Sequence, residues 1–159
     1  MNTPSRITDS TPRLGEMGLE NFAPYLMNRI IGRYNAAMAS EMAELGLTTP
    51  QMRSLAVLSV IDGILIRELA VYAVVQQSTL SRALDTLDTN GLIRREPDIQ
   101  DSRATRVFLT DAGRDTYERL WPHMASAHDA MFKGIDAAER RAFVGTLQTI
   151  LRNIRKHDF

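Results

Sequence analysis

Between residues 76 and 110 the hydrophobic period switches from that of a helix to that of a strand and back. No other feature limits the possible folds as strongly. Leu80, Ala83, Leu84 and Leu87 recur at i, i+3, i+4 and i+7, the spacing of one buried helix face. Asn90 and Gly91 follow, a pair suited to stopping a helix. Residues 92–97 and 105–109 then read as two short extended runs. The polar segment 98–104 between them makes a hairpin with a longish loop. Thr110 is placed to cap another helix.

Upstream, apolar residues recur at helical spacing over 19–45, from Phe22 through Leu26, Met27, Ile30 and Tyr34 to Met38, which predicts one long amphipathic helix. Asn21 is its expected cap, and Pro24 is tolerated in a first turn. Gly46 ends it. Thr49-Pro50 reads as cap and first residue of a second helix carrying Leu55, Leu58 and Ile61 inward. Ile64-Leu65-Ile66 is a candidate strand, and residues 67–74 a short helix. Downstream, a helix to about Lys133 contains Pro122, where a kink is expected. Asp136 with Glu139 resembles a capping box that opens a final helix with Phe143, Leu147, Ile150, Leu151 and Ile154.

Two short helices joined by a tight turn and followed by a hairpin make a winged helix-turn-helix. The expected fold is therefore mainly α with a small β-hairpin wing. A core lobe over 49–110 is flanked by helical regions at 19–48 and 111–159, which would form a second layer. Residues 1–18 are expected to be a flexible tail.

The helix from Gln77 presents a surface suited to bases. Its buried stripe leaves Gln77, Ser78, Thr79, Ser81, Arg82 and Asp85 outside. Short or neutral polar groups at a helix N-terminus can approach base edges, and the terminal amides attract phosphate. Arg82 can reach guanine O6 and N7 in a bidentate way, and Gln77 can pair with adenine. The plainer alternatives are that Arg82 pairs with Asp85 or Asp88, and that Ser78 and Thr79 are capping residues. In the hairpin loop, Arg103 could enter a narrow minor groove, oriented by Asp101; alternatively the two are an exposed pair of small energetic value. Arg94, Arg95 and Arg106 flank the loop within reach of phosphates. Residues 76–106 hold five arginines against Asp85, Asp88, Glu96, Asp98 and Asp101. Affinity must then come from geometry and from doubling the head rather than from a basic field.

The chain resembles the MarR family, the multiple antibiotic resistance regulators. The resemblance spans about residues 19–156. It rests on Arg67-Glu68-Leu69-Ala70, on residues 77–87, on Asn90-Gly91-Leu92-Ile93-Arg94-Arg95, on the wing sequence Asp98-Ile99-Gln100-Asp101-Ser102-Arg103, and on Leu109-Thr110-Asp111-Ala112-Gly113. It implies a homodimer with interlocking terminal helices that reads a pseudo-palindromic double-stranded DNA operator, a repressor relieved by a small ligand. It also implies a ligand cleft between the pairing helices and the DNA-binding lobe. Tyr34, Met38, Tyr117 and Trp121 are the candidates for that cleft, with core or dimer seam as the alternative. Two departures stand out. Val74 lies where the turn often carries glycine, so the turn is expected to avoid positive φ there. Ile64-Leu65-Ile66 is unusually apolar.

Composition limits the other classes. The formal net charge is zero, which favours the alternative of a winged-helix protein-interaction module without DNA binding. With no cysteines, disulfides, thiolate metal sites and thiol redox sensing are excluded. His123 and His128, five apart on a helix, diverge too far to share a metal. No nucleophile-base-acid set or phosphate loop is present, so neither an enzyme nor a cofactor is expected. The N-terminus has no signal-peptide pattern and the longest apolar run, residues 69–75, is too short to span a membrane. A cytoplasmic protein with no membrane partner is expected.

Overall fold

The computed structural model describes residues 11–159. In chain order the helices are α1 (Leu14–Met17), α2 (Ala23–Ala37), α3 (Ala39–Glu44), α4 (Thr49–Val60), α5 (Ile66–Tyr72), α6 (Gln77–Thr89), α7 (Asp111–Met131) and α8 (Ala137–Ile154). The strands are β1 (Ile64–Leu65), β2 (Ile93–Pro97) and β3 (Thr105–Leu109), in the antiparallel order β1-β3-β2. The hairpin β2–β3 pairs Ile93 with Leu109 through Pro97 with Thr105. Ile64 and Leu65 add a third strand against Val107 and Arg106, which accounts for their apolar character. Of the expected tail, residues 1–10 lie outside the described residues, and Leu14–Met17 forms a single helical turn.

One core joins α4, α5, α6, the sheet and α7. Leu55, Leu58, Leu69, Leu80, Leu84, Leu87, Ile93, Val107 and Leu120 are almost fully buried. Each leucine contributes about 1.5–3 kcal/mol by leaving water. The predicted stripe of α6 is the face that docks: Leu80, Ala83, Leu84 and Leu87 are all buried. Close packing also fixes how α7 leaves the sheet. A Cβ on Gly113 would lie 1.9 Å from the Leu92 carbonyl oxygen, so only glycine permits that approach.

Several predicted boundaries are corrected. The single long helix expected over 19–45 is a 3-10 turn at Leu19–Asn21 followed by α2 and α3, separated at Met38. Asn21 does not cap α2. Phe22 stands at the cap, and the Asn21 amide donates to the Met17 carbonyl instead. The cap of α4 is Thr48, one residue earlier than expected, because a reciprocal box forms with Gln51. Ile66 opens α5 rather than ending β1. Helix α7 is continuous through Pro122. Thr110 caps α7 and Asp136 caps α8, as the sequence indicates.

The turn between α5 and α6 overturns an expectation. Val74 has φ 54°, in the left-handed region the sequence reading has it avoid. The cause is the hydrogen-bond closure of α5. Val75 N–H donates to the Ala70 carbonyl at 3.0 Å and Val74 N–H to Val71 at 3.2 Å, the paired closure that places its penultimate residue at positive φ. Gly91 ends α6 with the same pair of bonds. Arg53 Nη1 adds a bond to the Val74 carbonyl at 3.3 Å. A β-branched residue held there is strained by about 1–3 kcal/mol. Val74→Gly is expected to raise stability by about 1 kcal/mol after the extra unfolded-state entropy of glycine is subtracted. Thermal denaturation should show a Tm higher by about 2–4 °C. A lower Tm would show that the turn is unstrained.

Candidate nucleic-acid interface

Helix α6 starts at Gln77 because Gln76 is extended, and its first turn is left open to solvent. Gln77, Ser78, Thr79, Ser81 and Arg82 are all exposed on the side opposite the buried stripe. The structure thus brings five of the sequence-selected residues together on one surface. Asp85 and Asp88 are not partners of Arg82. Both are held by Arg95 of β2: its Nη1 donates to Asp85 Oδ1 at 2.9 Å and its Nε to Asp88 Oδ2 at 3.0 Å. Burial opposes the charge on Arg95, but these two carboxylates raise its pKa overall. Arg82 makes no ion pair among the described residues. Its guanidinium is available for a ligand because Arg95 occupies the acids that would otherwise hold it.

The wing divides its arginines by role. Arg103, 91% exposed, sits on the loop with Nε 3.3 Å from Asp101 Oδ1. The same oxygen accepts the Arg103 backbone N–H at 3.0 Å, so Asp101 shapes the loop around Arg103 as well as facing its charge. Arg106 is turned inward. Its Nε donates to Asp98 Oδ1 at 2.5 Å and its Nη1 to the Gly63 carbonyl at 2.7 Å. Arg94 pairs with Glu96 and lies over the Phe108 ring, 4.2 Å from its centroid. Arg94, Arg95 and Arg106 are thus each held by contacts within the wing and its neighbouring elements, which their position in the sequence does not reveal.

Asp98 is the hub of the wing. Its carboxyl is held below the usual carboxylate range, chiefly by Arg106, against partial burial and with help from the backbone N–H groups of Asp101 and Gln100. A lowered pKa means that the stabilisation is complete above the unfolded value of about 3.9 and is lost as pH falls through the folded value. Asp98→Asn is expected to melt below the wild type at pH 7. The two Tm values should converge under acid conditions, in thermal denaturation followed across pH. A gap that persists in acid would remove the charge-based account.

Ile99, part of the wing sequence but given no role there, is fully exposed in the wing loop, an isoleucine alone among polar neighbours.

A family model for the MarR family matches residues 45–104, the stretch from before α4 to the end of the wing loop. The crystal structure of a MarR-family transcriptional regulator from Silicibacter pomeroyi is 58% identical in sequence. It covers 93% of this chain and all of its own, with a TM-score of 0.89. The chain belongs to the MarR family. The HTH-type transcriptional repressor IacR of Pseudomonas putida is 26% identical over 143 residues, 90% of this chain and 86% of that protein. The fold is shared with Bordetella bronchiseptica BpsR, whose DNA binding is regulated by 6-hydroxynicotinic acid. That match has 24% identity, 80% of this chain, 97% of the other and a TM-score of 0.70.

These relatives of the MarR-family chain are transcriptional regulators rather than enzymes. Among the described residues no group of three or more His, Asp or Glu is arranged to hold a metal ion, and no helix is long and apolar enough to cross a membrane.

Of the four cleft candidates, Tyr34 lies on α2, Tyr117 and Trp121 lie on α7, and Met38 follows the last residue of α2. Tyr117 and Trp121 are 6.3 Å apart between ring centroids. Burial raises the pKa of Tyr34, with a further contribution from the neighbouring Tyr117. Met38 is fully buried in the core. His123 Nδ1 is 3.2 Å from Glu41 Oε1, and Glu41 Oε2 is buried with no hydrogen-bond partner among the described residues. Glu41 and His123 were not selected from the sequence. They lie on different helices, and their approach depends on how α3 meets α7.

Proposed function

We propose that this MarR-family regulator binds double-stranded DNA as a homodimer on a pseudo-palindromic operator and acts as a repressor released by a small ligand. The observation that carries DNA binding is the exposed N-terminal face of α6, with Arg82 in no ion pair among the described residues and Asp85 and Asp88 held by Arg95. In this reading α6 is the recognition helix and enters the major groove. Gln77, Ser78, Thr79 and Ser81 approach base edges and phosphates, and Arg82 reads guanine. Arg103, oriented by Asp101, enters the minor groove, while Arg94, Arg95 and Arg106 hold the wing in place.

The homodimer is supported by α2 and α8, which bury no residue in the single chain. Leu26, Met27, Ile30 and Ile31 on α2, and Phe143, Val144, Leu151 and Ile154 on α8, are exposed. So much apolar surface on helices at both ends fits a seam between two copies. The ligand reading is supported by the approach of Tyr117 to Trp121 and to Tyr34, and by Glu41 Oε2, a buried acceptor with no hydrogen-bond partner among the described residues. Regulation of BpsR by an aromatic acid is consistent with such a site.

A salt titration tests DNA binding. Affinity for duplex should fall steeply as salt rises, because contacted phosphates release counterions. Absence of duplex binding even at low salt would favour a protein-interaction module.

A further inference from the structure

Within residues 76–106 four of the five arginines are engaged in ion pairs: Arg94, Arg95, Arg103 and Arg106. Within that stretch only Arg82 is left without an ion pair among the described residues, and the exposed Arg67 of α5 is the other unpaired arginine close to it. A further source of cations lies beyond α8. The chain leaves that helix extended at Arg155, with φ −65° and ψ 148°, and returns to the head. The Phe159 ring packs on Tyr72, the last residue of α5, with 5.8 Å between centroids, and the His157 ring stacks on Phe159 at 5.3 Å. A cleft of about 600 Å³ runs between this segment and the head, with Arg67, Glu68, Val71 and Gln77 on one wall and His157 and Phe159 on the other. Gln77 is the first residue of the recognition helix. Arg155 and Lys156 are exposed and make no ion pair among the described residues.

We propose that residues 155–159 form a strap, pinned to α5 by Phe159, that carries Arg155 and Lys156 to the DNA backbone beside the recognition helix. Extended chain covers about 3.3 Å per residue, so both cations stay within reach of the phosphates flanking Gln77. The proposal rests on the DNA-binding reading above. It adds a contact outside the winged helix itself, and its two cations, set against the single carboxylate of Asp158, add to the sequence-independent attraction of a head whose formal charges balance.

The test measures binding to a mixed-sequence duplex over a range of salt for the wild type, Arg155→Gln/Lys156→Gln and Phe159→Ala. The double variant removes four cations per dimer. The slope of log affinity against log salt should shrink by about 3–4, at about 0.9 per contact, with affinity roughly 100-fold lower near physiological salt. Phe159→Ala keeps the charges but frees the strap, and should give an intermediate loss. An unchanged slope in the double variant, or tighter binding, would overturn the proposal. A normal Phe159→Ala beside a weakened double variant would overturn the pinning. Failure of the wild type to bind duplex at low salt is a separate result, and it would remove the DNA-binding reading itself.

Discussion

Replacing Arg82 with alanine is expected to weaken operator binding by about 1–3 kcal/mol at each half-site, and to relax discrimination at one base position in each. With two heads engaged the losses combine, giving a dimer weakened by roughly 30-fold to more than 1,000-fold. The folded state should be unaffected, because Arg82 is exposed and makes no ion pair among the described residues. Arg95→Ala is the instructive contrast. It removes the tie between β2 and two acids of α6, so it should lower Tm and also leave Asp85 and Asp88 free to compete for Arg82. Fluorescence anisotropy with operators altered one base at a time would separate the two cases. Unchanged affinity and specificity in Arg82→Ala would show that the residue does not read a base.

The second large effect is expected at the unpartnered helices. Ile30→Asp on α2, or Leu151→Asp on α8, places a carboxylate in the proposed seam. An ionised group left unpaired in an apolar interface costs several kcal/mol. The dimer should dissociate at micromolar concentration in analytical ultracentrifugation. Operator affinity should fall at least about 100-fold, because the second head no longer binds as a tethered partner. Neither residue belongs to the core cluster around Leu55, Leu84 and Leu120, so the monomer should keep its fold. A variant that remains dimeric and binds DNA normally would place the interface elsewhere.

The sequence was most legible where local pattern decides structure. The period switch placed α6 and the hairpin to within a residue, because the stripe Leu80, Ala83, Leu84 and Leu87 has one way to be buried. It was least legible where distant residues meet. Nothing in the spacing of Asp85, Asp88 and Arg95 announces that they join, since their approach depends on how β2 lies against α6. The contact of Phe159 with Tyr72 spans most of the chain and leaves no local trace. The break at Met38 was invisible for a related reason. Its side chain fits the helical stripe of both neighbouring helices, so the hydrophobic pattern continues while the helix does not. Val74 shows a local preference overruled. The closing hydrogen bonds of α5 and the bond from Arg53 impose a conformation that valine alone would avoid.

The candidate interface followed the same division. The face of α6 could be read from which positions the stripe leaves outside. The partners of the wing arginines could not be read from the sequence: Glu96 holds Arg94, Asp85 and Asp88 hold Arg95, and Asp98 with the Gly63 carbonyl holds Arg106.

Selection of bound fragments from genomic DNA, followed by measurement of protomers per duplex, tests the central claim most directly. The account predicts enrichment of one sequence made of two inverted half-sites, their centres about one helical turn or roughly 10 base pairs apart, with two protomers bound. A single unpaired site, one protomer per duplex, or no enriched sequence would contradict it.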